Sequence, residues 1–500
     1  MMPGSGAVAL MKRATGLSKS KITLFEQCPK RLWLSVHYPQ ASQESLATKA
    51  AYADSHRVGA LACQLHPDGV MIEADRGLGR AVDDTAALLA SGWDRPVFEA
   101  TFAHQGVLVR VDMLLPHSDD WHVAEVKNTT GVKDYHLGDL ATQLWVMRGA
   151  GVRVATAAMR HLDRTFTLTR EGNYAGLFID TFVHDQLGPV IAARADIVAE
   201  ARATFDGGEP EREMGVHCDT PFTCSFKGHC GQHLPPPPTW HVSLLPDLKG
   251  KQTARLWLDQ GIDDLTQVPA TAMPNAKLAR IYQATVSGTP WNDREAIRGE
   301  IASWSFPRAF LDFETIQFAI PRWLGTRPFS QVPFQFSAHI QRAEGEVTHR
   351  EFLSLDGSDP RRACAEALRA LPAQGSVIAW NASFERSCLN GLATLFPDVA
   401  PALMSLAARL VDPLPIVRRH YYHRDMRGSW SLKAVLPTLG AGGYEHLVEV
   451  KSGTDAQAGY LEAIDPGTSP ARRAALREAL LDYCRRDTEA MMIVLEALTR

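Results

Sequence analysis

Two sets of acidic residues, one in each half of a 500-residue chain, stand at spacings suited to divalent-cation chemistry. The first lies where apolar residues alternate over Gly106–Leu115 around Asp112, and Trp121–Lys127 returns after Pro116–Asp120. A turn centred between Ser118 and Asp119 places Asp112 opposite Glu125, and strand alternation puts Lys127 on the face of Glu125. Two carboxylates at one point bind Mg²⁺ or Mn²⁺ through oxygen. An adjacent ammonium stabilises charge growing on a phosphate or orients an attacking water. A surface ion-pair hairpin would use the same residue types, but the D-x12-E-x-K spacing across a hairpin favours a site. The second set opens on the apolar strand Ala309–Thr315, which carries Asp312 and Glu314 on one face. Burying them side by side is costly unless a cation neutralises them. Glu385 stands at the expected start of a helix, against its positive end. Tyr483 and Asp487 are four residues apart, hence on one helix face. Asp312, Glu314, Glu385 and Asp487 carry enough oxygen for two divalent ions, a clamp for the attacking and leaving oxygens of a phosphodiester, with Tyr483 placed to align the water.

Two further groups stand out. Cys218, Cys224 and Cys230 form a C-x5-C-x5-C run in a polar stretch, while Cys63, Cys364, Cys388 and Cys484 are scattered singly. A thiol cluster means metal more often than a disulfide in a reducing compartment. Thiolates suit an iron–sulfur cluster and structural zinc equally, and His217, His229 and His233 are alternative zinc ligands in the same stretch. The second group runs from Arg418 to Gly428, with Arg418, Arg419, Arg424 and Arg427 around Tyr421 and Tyr422 and one acid, and Lys433 follows shortly after. Arginine pairs with phosphates and flat rings stack on unpaired bases, which suits guiding a single strand toward Asp312. The bland alternative is a solvated loop with two tyrosines packed beneath it. Lys12, Arg13, Lys19, Lys21, Lys30 and Arg31 are spread too thinly to read as more than a weak patch.

These residues need elements to position them. Strands are predicted at Val97–Phe102, Gly106–Leu115 and Trp121–Val126, and helices at Leu137–Arg148 and Ile179–Phe205. Pro235–Pro238 cannot continue a helix or join a central strand and reads as a stiff linker. Short helices at Asp247–Gln260 and Asn275–Ser287, separated by Gly261 and Pro269, form a small connector. Strands at 309–314 and 333–341, a strand and helix across 376–396, and a final helix at 471–498 complete the pattern. The division expected is 1–234, 235–300 and 301–500, an α/β chain of two catalytic-looking parts and a helical connector.

The carboxy-terminal part resembles a DEDD-type exonuclease on an RNase H-like fold, through Asp312-Phe-Glu-Thr, Asn381-Ala-Ser-Phe-Glu385 and Tyr483-x3-Asp487. Its tyrosine is similar to the variant using Tyr in place of His, and Glu385 stands where the motif usually ends in Asp. The amino-terminal part resembles the Cas4/RecB-like group of the PD-(D/E)XK nucleases, with a restriction-endonuclease-like fold. Leu17-Ser-Lys-Ser-Lys-Ile-Thr-Leu-Phe-Glu-Gln-Cys28-Pro-Lys-Arg-Leu-Trp33 is similar to that group's entry motif, and Asp112, Glu125, Lys127 and Gln143 follow in its order. The resemblance implies a catalytic place for Gln143 and a 4Fe–4S cluster on Cys28, Cys218, Cys224 and Cys230. The pairing of the two parts also looks like the DUF2779 family, which implies a nuclease without fixing its substrate.

The charge balance, 52 basic against 56 acidic residues for a net −4, excludes a bulk polycation, so nucleic-acid contacts must be local. An apolar share of 45% with 22% charged residues excludes wholesale disorder. No apolar run approaches the ~18 residues of a membrane span. Lys12 and Arg13 follow rather than precede the short apolar stretch Ala7–Met11, the wrong order for a secretory signal, so the cytoplasm is expected. The function expected is Mg²⁺- or Mn²⁺-dependent hydrolysis of DNA, with 3′→5′ end-trimming at the carboxy-terminal site and a single-stranded end as partner. RNA processing, or a nucleic-acid-binding iron–sulfur scaffold with lapsed sites, are the alternatives.

Overall fold

A computed structural model of the chain describes residues 16–44, 46–232 and 234–500. Lys12, Arg13, the stretch Ala7–Met11 and His233 therefore lie outside the described residues. Contacts divide the chain into two α/β units: Met1–Leu234 with Phe318–Ser330, and Pro235–Gln317 with Gln331–Arg500. Among the described residues, no helix is long and apolar enough to cross a membrane.

The first unit is built on a sheet ordered Val70–Met71, Val97–His104, Val107–His117, Asp120–Lys127, Val154–Leu162, Phe178–Phe182, with Leu17–Ser18 parallel to Val107–His117. Val97–His104, Val107–His117 and Asp120–Lys127 form an antiparallel meander. The helix Asp134–Gly149 then leads to Val154–Leu162, parallel to Asp120–Lys127, because a parallel return needs a crossover. Val107, Val109 and Val111 bury alternate positions against Leu140, Leu144 and Met147 of that helix. The hairpin pairs His117 with Asp120 and runs in register to Met113 with Ala124, so its turn centres between Ser118 and Asp119. The expected helix Ile179–Phe205 is corrected at its start. Phe178–Phe182 is an edge strand, and helix begins only at Gly188–Ala192 and continues in Arg194–Asp206. The β-prone Phe-Ile-Asp-Thr-Phe sequence pairs with a free sheet edge, and Pro189 restarts the chain as a helix.

The second unit carries a five-stranded sheet ordered Val347–Leu353, Val332–Gln341, Arg308–Ile316, Val377–Ile378, Leu410–Val411. The first three are antiparallel, and the last two run parallel to Arg308–Ile316. The final helix Pro470–Thr499 starts at Ser469, whose hydroxyl accepts from Arg472 N (3.2 Å), with Pro470 at its first position. Gln335 Nε2 donates to Leu480 O (2.7 Å), and Ser337 and His339 both meet Thr488 Oγ1 at 2.8 Å, fixing this helix on the sheet.

The stretch 235–300 is not a separate body. Its helices Asp247–Leu258, Ala276–Ser287 and Arg294–Ile301 bury Ala254, Leu278, Ile281 and Ile301 in one core with Val242, Tyr421, Trp430, Met491 and Val494. Pro235, Pro236 and Pro237 are exposed and outside any helix or strand.

Candidate active sites

In the first unit, one further step of the hairpin register brings Asp112 level with Glu125. Regular pairing stops there, and Glu99 on the neighbouring strand has φ +54°, a left-handed conformation costly for a glutamate. Asp112 Oδ2 accepts from Val126 N (2.8 Å). Glu125 is buried and ringed by donors: Lys19 Nζ at 2.6 Å and Lys127 Nζ at 3.0 Å on Oε1, and Gln143 Nε2 at 2.5 Å on Oε2. Lys127 also donates to Asp139 Oδ2 (2.7 Å), whose other oxygen accepts from Thr23 Oγ1 (2.8 Å). Burial raises the Asp112 carboxyl, reinforced by the Glu125 charge, to about 7. Burial acts upward on Glu125 too, but Lys127 and Lys19 outweigh it and hold Glu125 ionised well below the usual range. The structure thus brings Asp112, Glu125, Lys127 and Gln143 together. Sequence reasoning missed Lys19 and Asp139, and a signal existed: Lys19 with Thr23, and Asp139 with Gln143, are i, i+4 pairs on their helices.

Cys28, Cys218, Cys224 and Cys230 line one cavity, together with Lys30, Arg31 and Lys227. Cys28 caps the helix Lys19–Gln27, and Gln27 Nε2 donates to His217 O and Phe222 O (both 2.7 Å), tying the early cysteine to the late run. Cys224 N donates to Cys218 O (2.8 Å). Burial raises the Cys224 and Cys230 thiols, and the neighbouring thiols add to the rise. His217 Nε2 lies 3.7 Å from Cys218 Sγ, whereas His229 packs against the Tyr38 ring at 5.1 Å. This donor set fits a thiolate-bound metal group, with Lys30, Arg31, Arg212 and Lys227 against the single acid Glu213 in the lining to balance thiolate charge.

In the second unit, Asp312, Glu314 and Asp487 each offer an oxygen within 4.8 Å of the others. Burial, then the Asp487 and Glu314 charges, push Asp312 well above the carboxylate range, and burial with the Asp487 charge raises Glu314 to about 8. Glu385, in the first turn of Ser383–Leu395, is raised by burial to about 8, and its Oε2 is buried with no hydrogen-bond partner among the described residues. Such a group calls for a cation. Asn381, at φ +69°, turns the chain from strand to helix, and Asp412 accepts from Asn381 N (3.1 Å) and Ala382 N (3.2 Å). Tyr444 Oη donates to Asp487 Oδ1 (2.5 Å). Lys433 Nζ lies 3.2 Å from Tyr483 Oη and 4.7 Å from the centre of its ring. Residues 309–431 match the family model of a domain of unknown function, DUF2779. No curated protein matches the chain. The DUF2779 segment holds Asp312, Glu314, Glu385 and Asp412, while Lys433, Tyr444, Tyr483 and Asp487 come from beyond it. Asp412 and Tyr444 were missed by sequence reasoning, since neither sits in a motif or at a helical spacing from the acids.

The basic loop is corrected in part. Tyr421 and Tyr422 are buried and pair as a short strand with Trp291–Asn292, so their rings have no exposed face to offer a base. Arg419 is ion-paired to Glu300, and Arg424 and Arg427 lie over the Trp240 ring at 5.0 and 5.9 Å. Arg418 is exposed, and no ion pair holds it among the described residues. Lys433 faces the tyrosines of the acidic site rather than the loop.

Proposed function

We propose that this chain is a Mg²⁺- or Mn²⁺-dependent nuclease with two active sites, trimming DNA ends 3′→5′ at Asp312, Glu314, Glu385 and Asp487, and cutting at Asp112, Glu125 and Lys127. The observation that carries the reading is the buried carboxylate group around Asp312. Its members repel one another and are held at mutual distances within 4.8 Å, an arrangement that a divalent cation relieves. The sheet of the second unit supports it, since an antiparallel meander followed by two parallel strands resembles an RNase H-like order. In the first unit a three-strand meander, a crossover helix and a parallel fourth strand resemble the restriction-endonuclease-like core.

A bound divalent ion would lower the pKa of a water and neutralise phosphate charge. The chain's own residues do the rest. Asp312, Glu314 and Asp487 would hold the ion, and Glu385 offers a second carboxylate edge at a helix start. Tyr444 fixes the rotamer of Asp487 through its hydroxyl. Lys433 holds the Tyr483 phenol toward the site, so that this hydroxyl can orient a water. In the first unit Asp112 and Glu125 would hold the ion, Gln143 and Lys19 fix the Glu125 carboxylate, and Lys127, steadied by Asp139, faces a phosphate.

The thiol cavity is read as the seat of a 4Fe–4S cluster. Among the described residues only Asp312, Glu314 and Asp487 bring three donor atoms mutually within 4.8 Å, so no three of these sulfurs stand that close together. A single zinc with Zn–S bonds of ~2.3 Å would draw its sulfurs to roughly 3.8 Å. A cluster, bound at separate corners, takes a wider set. The cluster would staple residue 28 to 218–230.

The test is hydrolysis of end-labelled single- and double-stranded DNA and RNA by anaerobically purified protein with Mn²⁺ or Mg²⁺. Asp312→Ala is expected to abolish 3′-end trimming and Lys127→Ala to abolish the other activity. A parent chain that degrades no substrate with either metal overturns the proposal, and faster cleavage of RNA redirects it. A brown protein whose absorption near ~400 nm bleaches on reduction supports the cluster.

A further inference from the structure

The stretch 235–300 supplies part of a cationic groove that the motifs do not account for. A cleft of about 370 Å³ is lined by Asp247 and Lys277 of this stretch and by Trp380, Leu414, Arg418 and the turn Gly428–Ser431. It sits beyond the carboxyl ends of Val377–Ile378 and Leu410–Val411, both parallel to Arg308–Ile316, where open α/β sheets hold their ligands. Asp312 and Glu314 lie past Phe310, the partner of Ile378, toward the same edge. The groove reaches Trp380, whose next residue Asn381 begins the turn leading to Glu385.

Its construction is specific. Trp380 Nε1 donates to Trp430 O (2.9 Å), fixing one wall. Gly428, at φ +80°, would drive a Cβ to 1.9 Å from Leu244 O, so the turn is pressed onto the connector backbone. Lys277 is ion-paired with Asp247, the one acid in the lining, and its ammonium is pushed down by burial, then by Arg418 and Arg280. Two cations, Lys277 and Arg418, therefore line a cleft that holds one carboxylate, with Arg280 close enough to repel Lys277 and the hydroxyls of Ser429 and Ser431 and the face of a half-buried tryptophan beside them.

We propose that this groove, with Arg418 and Lys277 on its rim and Trp380 as its wall, binds the phosphodiester backbone of a single nucleic-acid strand whose end reaches the Asp312 site. The stretch 235–300 is then part of the substrate channel rather than a spacer. This rests on the nuclease reading of the Asp312 site.

The experiment measures fluorescence anisotropy of a labelled single-stranded DNA 12-mer with the full chain in EDTA, where nothing is cleaved, across a salt series. The double variant Lys277→Ala/Arg418→Ala is expected to bind at least about tenfold more weakly. Its salt slope should fall by about 1.4, since each phosphate contact on a single strand contributes about 0.7. Arg418→Glu alone should weaken binding further than Arg418→Ala. Lys251→Ala, an exposed lysine of the same stretch outside the lining, is the control for charge loss. A parent that does not bind the 12-mer overturns the proposal, as does a double variant with unchanged affinity and slope, or a Lys251→Ala loss of equal size. Because no metal is present, these outcomes are independent of hydrolysis by the parent with Mn²⁺, which tests the nuclease reading alone.

Discussion

Lys19 shares one oxygen of Glu125 with Lys127, and that sharing sets what its loss should do. A charge-assisted hydrogen bond is worth ~1.5–3 kcal/mol, so Lys19→Met should lower the first unit's activity about 10- to 100-fold. Measured in an Asp312→Ala background, the acid limb of its pH–rate profile should also move upward, because Glu125 loses one of its two ammonium groups. An unchanged rate and profile would leave Lys19 a packing residue. The buried carboxylates make a second prediction. Asp112 at about 7, and Glu314 and Glu385 at about 8, keep protons in the folded chain that the unfolded chain gives up near ~4. Their contribution to stability is complete below the unfolded values and is lost as pH rises through the folded ones. His136 and His339, held at about 4 by burial, act in the opposite sense but only below ~6.5, where unfolded histidine charges. Between pH 6.5 and 8 the carboxylates therefore decide, and the melting temperature in EDTA should fall across that window. Mn²⁺ needs the ionised carboxylates, so its stabilisation should be larger at pH 8 than at pH 6.5. Melting curves in EDTA and Mn²⁺ at both pH values check this, and an equal Mn²⁺ shift at the two would refute it.

At the scale of elements, Asp412 joins two pieces of structure. It caps the helix Pro413–His420 by accepting from Leu414 N (2.9 Å), and it holds the Asn381–Ala382 turn that aims Glu385. Asp412→Ala should cost about 1–2 kcal/mol of stability as a lost cap. It should also lower kcat for 3′-end trimming by about tenfold with little change in KM, since the substrate is held elsewhere. Loss of stability with kcat intact would confine Asp412 to capping. The sequence made some of these relations legible and hid others for physical reasons. The hairpin was readable because a period of two, interrupted only by Pro116–Asp120, leaves one register that buries Val109 and Val111. The hold of Asp412 on the Asn381–Ala382 turn was not readable, because those partners lie about thirty residues away and are backbone N–H groups, which carry no sequence signature. Tyr421 and Tyr422 misled because aromatic residues between arginines look exposed, whereas the connector supplies a strand, Trp291–Asn292, to cover them. Phe178–Phe182 read as helix because the edge it completes belongs to Val154–Leu162, a pairing that local periodicity cannot show.

At the scale of the whole molecule, the chain passes between its two units at 234/235, 317/318 and 330/331, so neither unit is a continuous stretch. The segment 318–330 completes the first unit in a specific way. Ala319, Ile320 and Phe329 pack with Val58, Leu162, Leu177 and Val126. Gly325 N donates to Leu168 O (2.8 Å), Leu168 N donates to Thr326 O (3.0 Å), and Tyr174 Oη reaches Pro321 O (3.2 Å). Val126 is also the residue whose N–H holds Asp112, so this packing steadies the strand that carries Glu125 and Lys127. A fragment ending at residue 234 would expose that apolar cluster. Each fully buried side chain of this size is worth ~1.5–3 kcal/mol, against a typical total of ~5–15 kcal/mol. Residues 1–234 made alone should therefore melt well below the same unit in the full chain and bind a hydrophobic dye. A synthetic peptide of residues 318–330 added in trans should raise the fragment's melting temperature, and a peptide with Phe329→Ala should raise it less. If the bare fragment melts as the full chain's first unit does, the segment is not part of that unit's core. The site at Asp112 would then depend on residues before 234 alone.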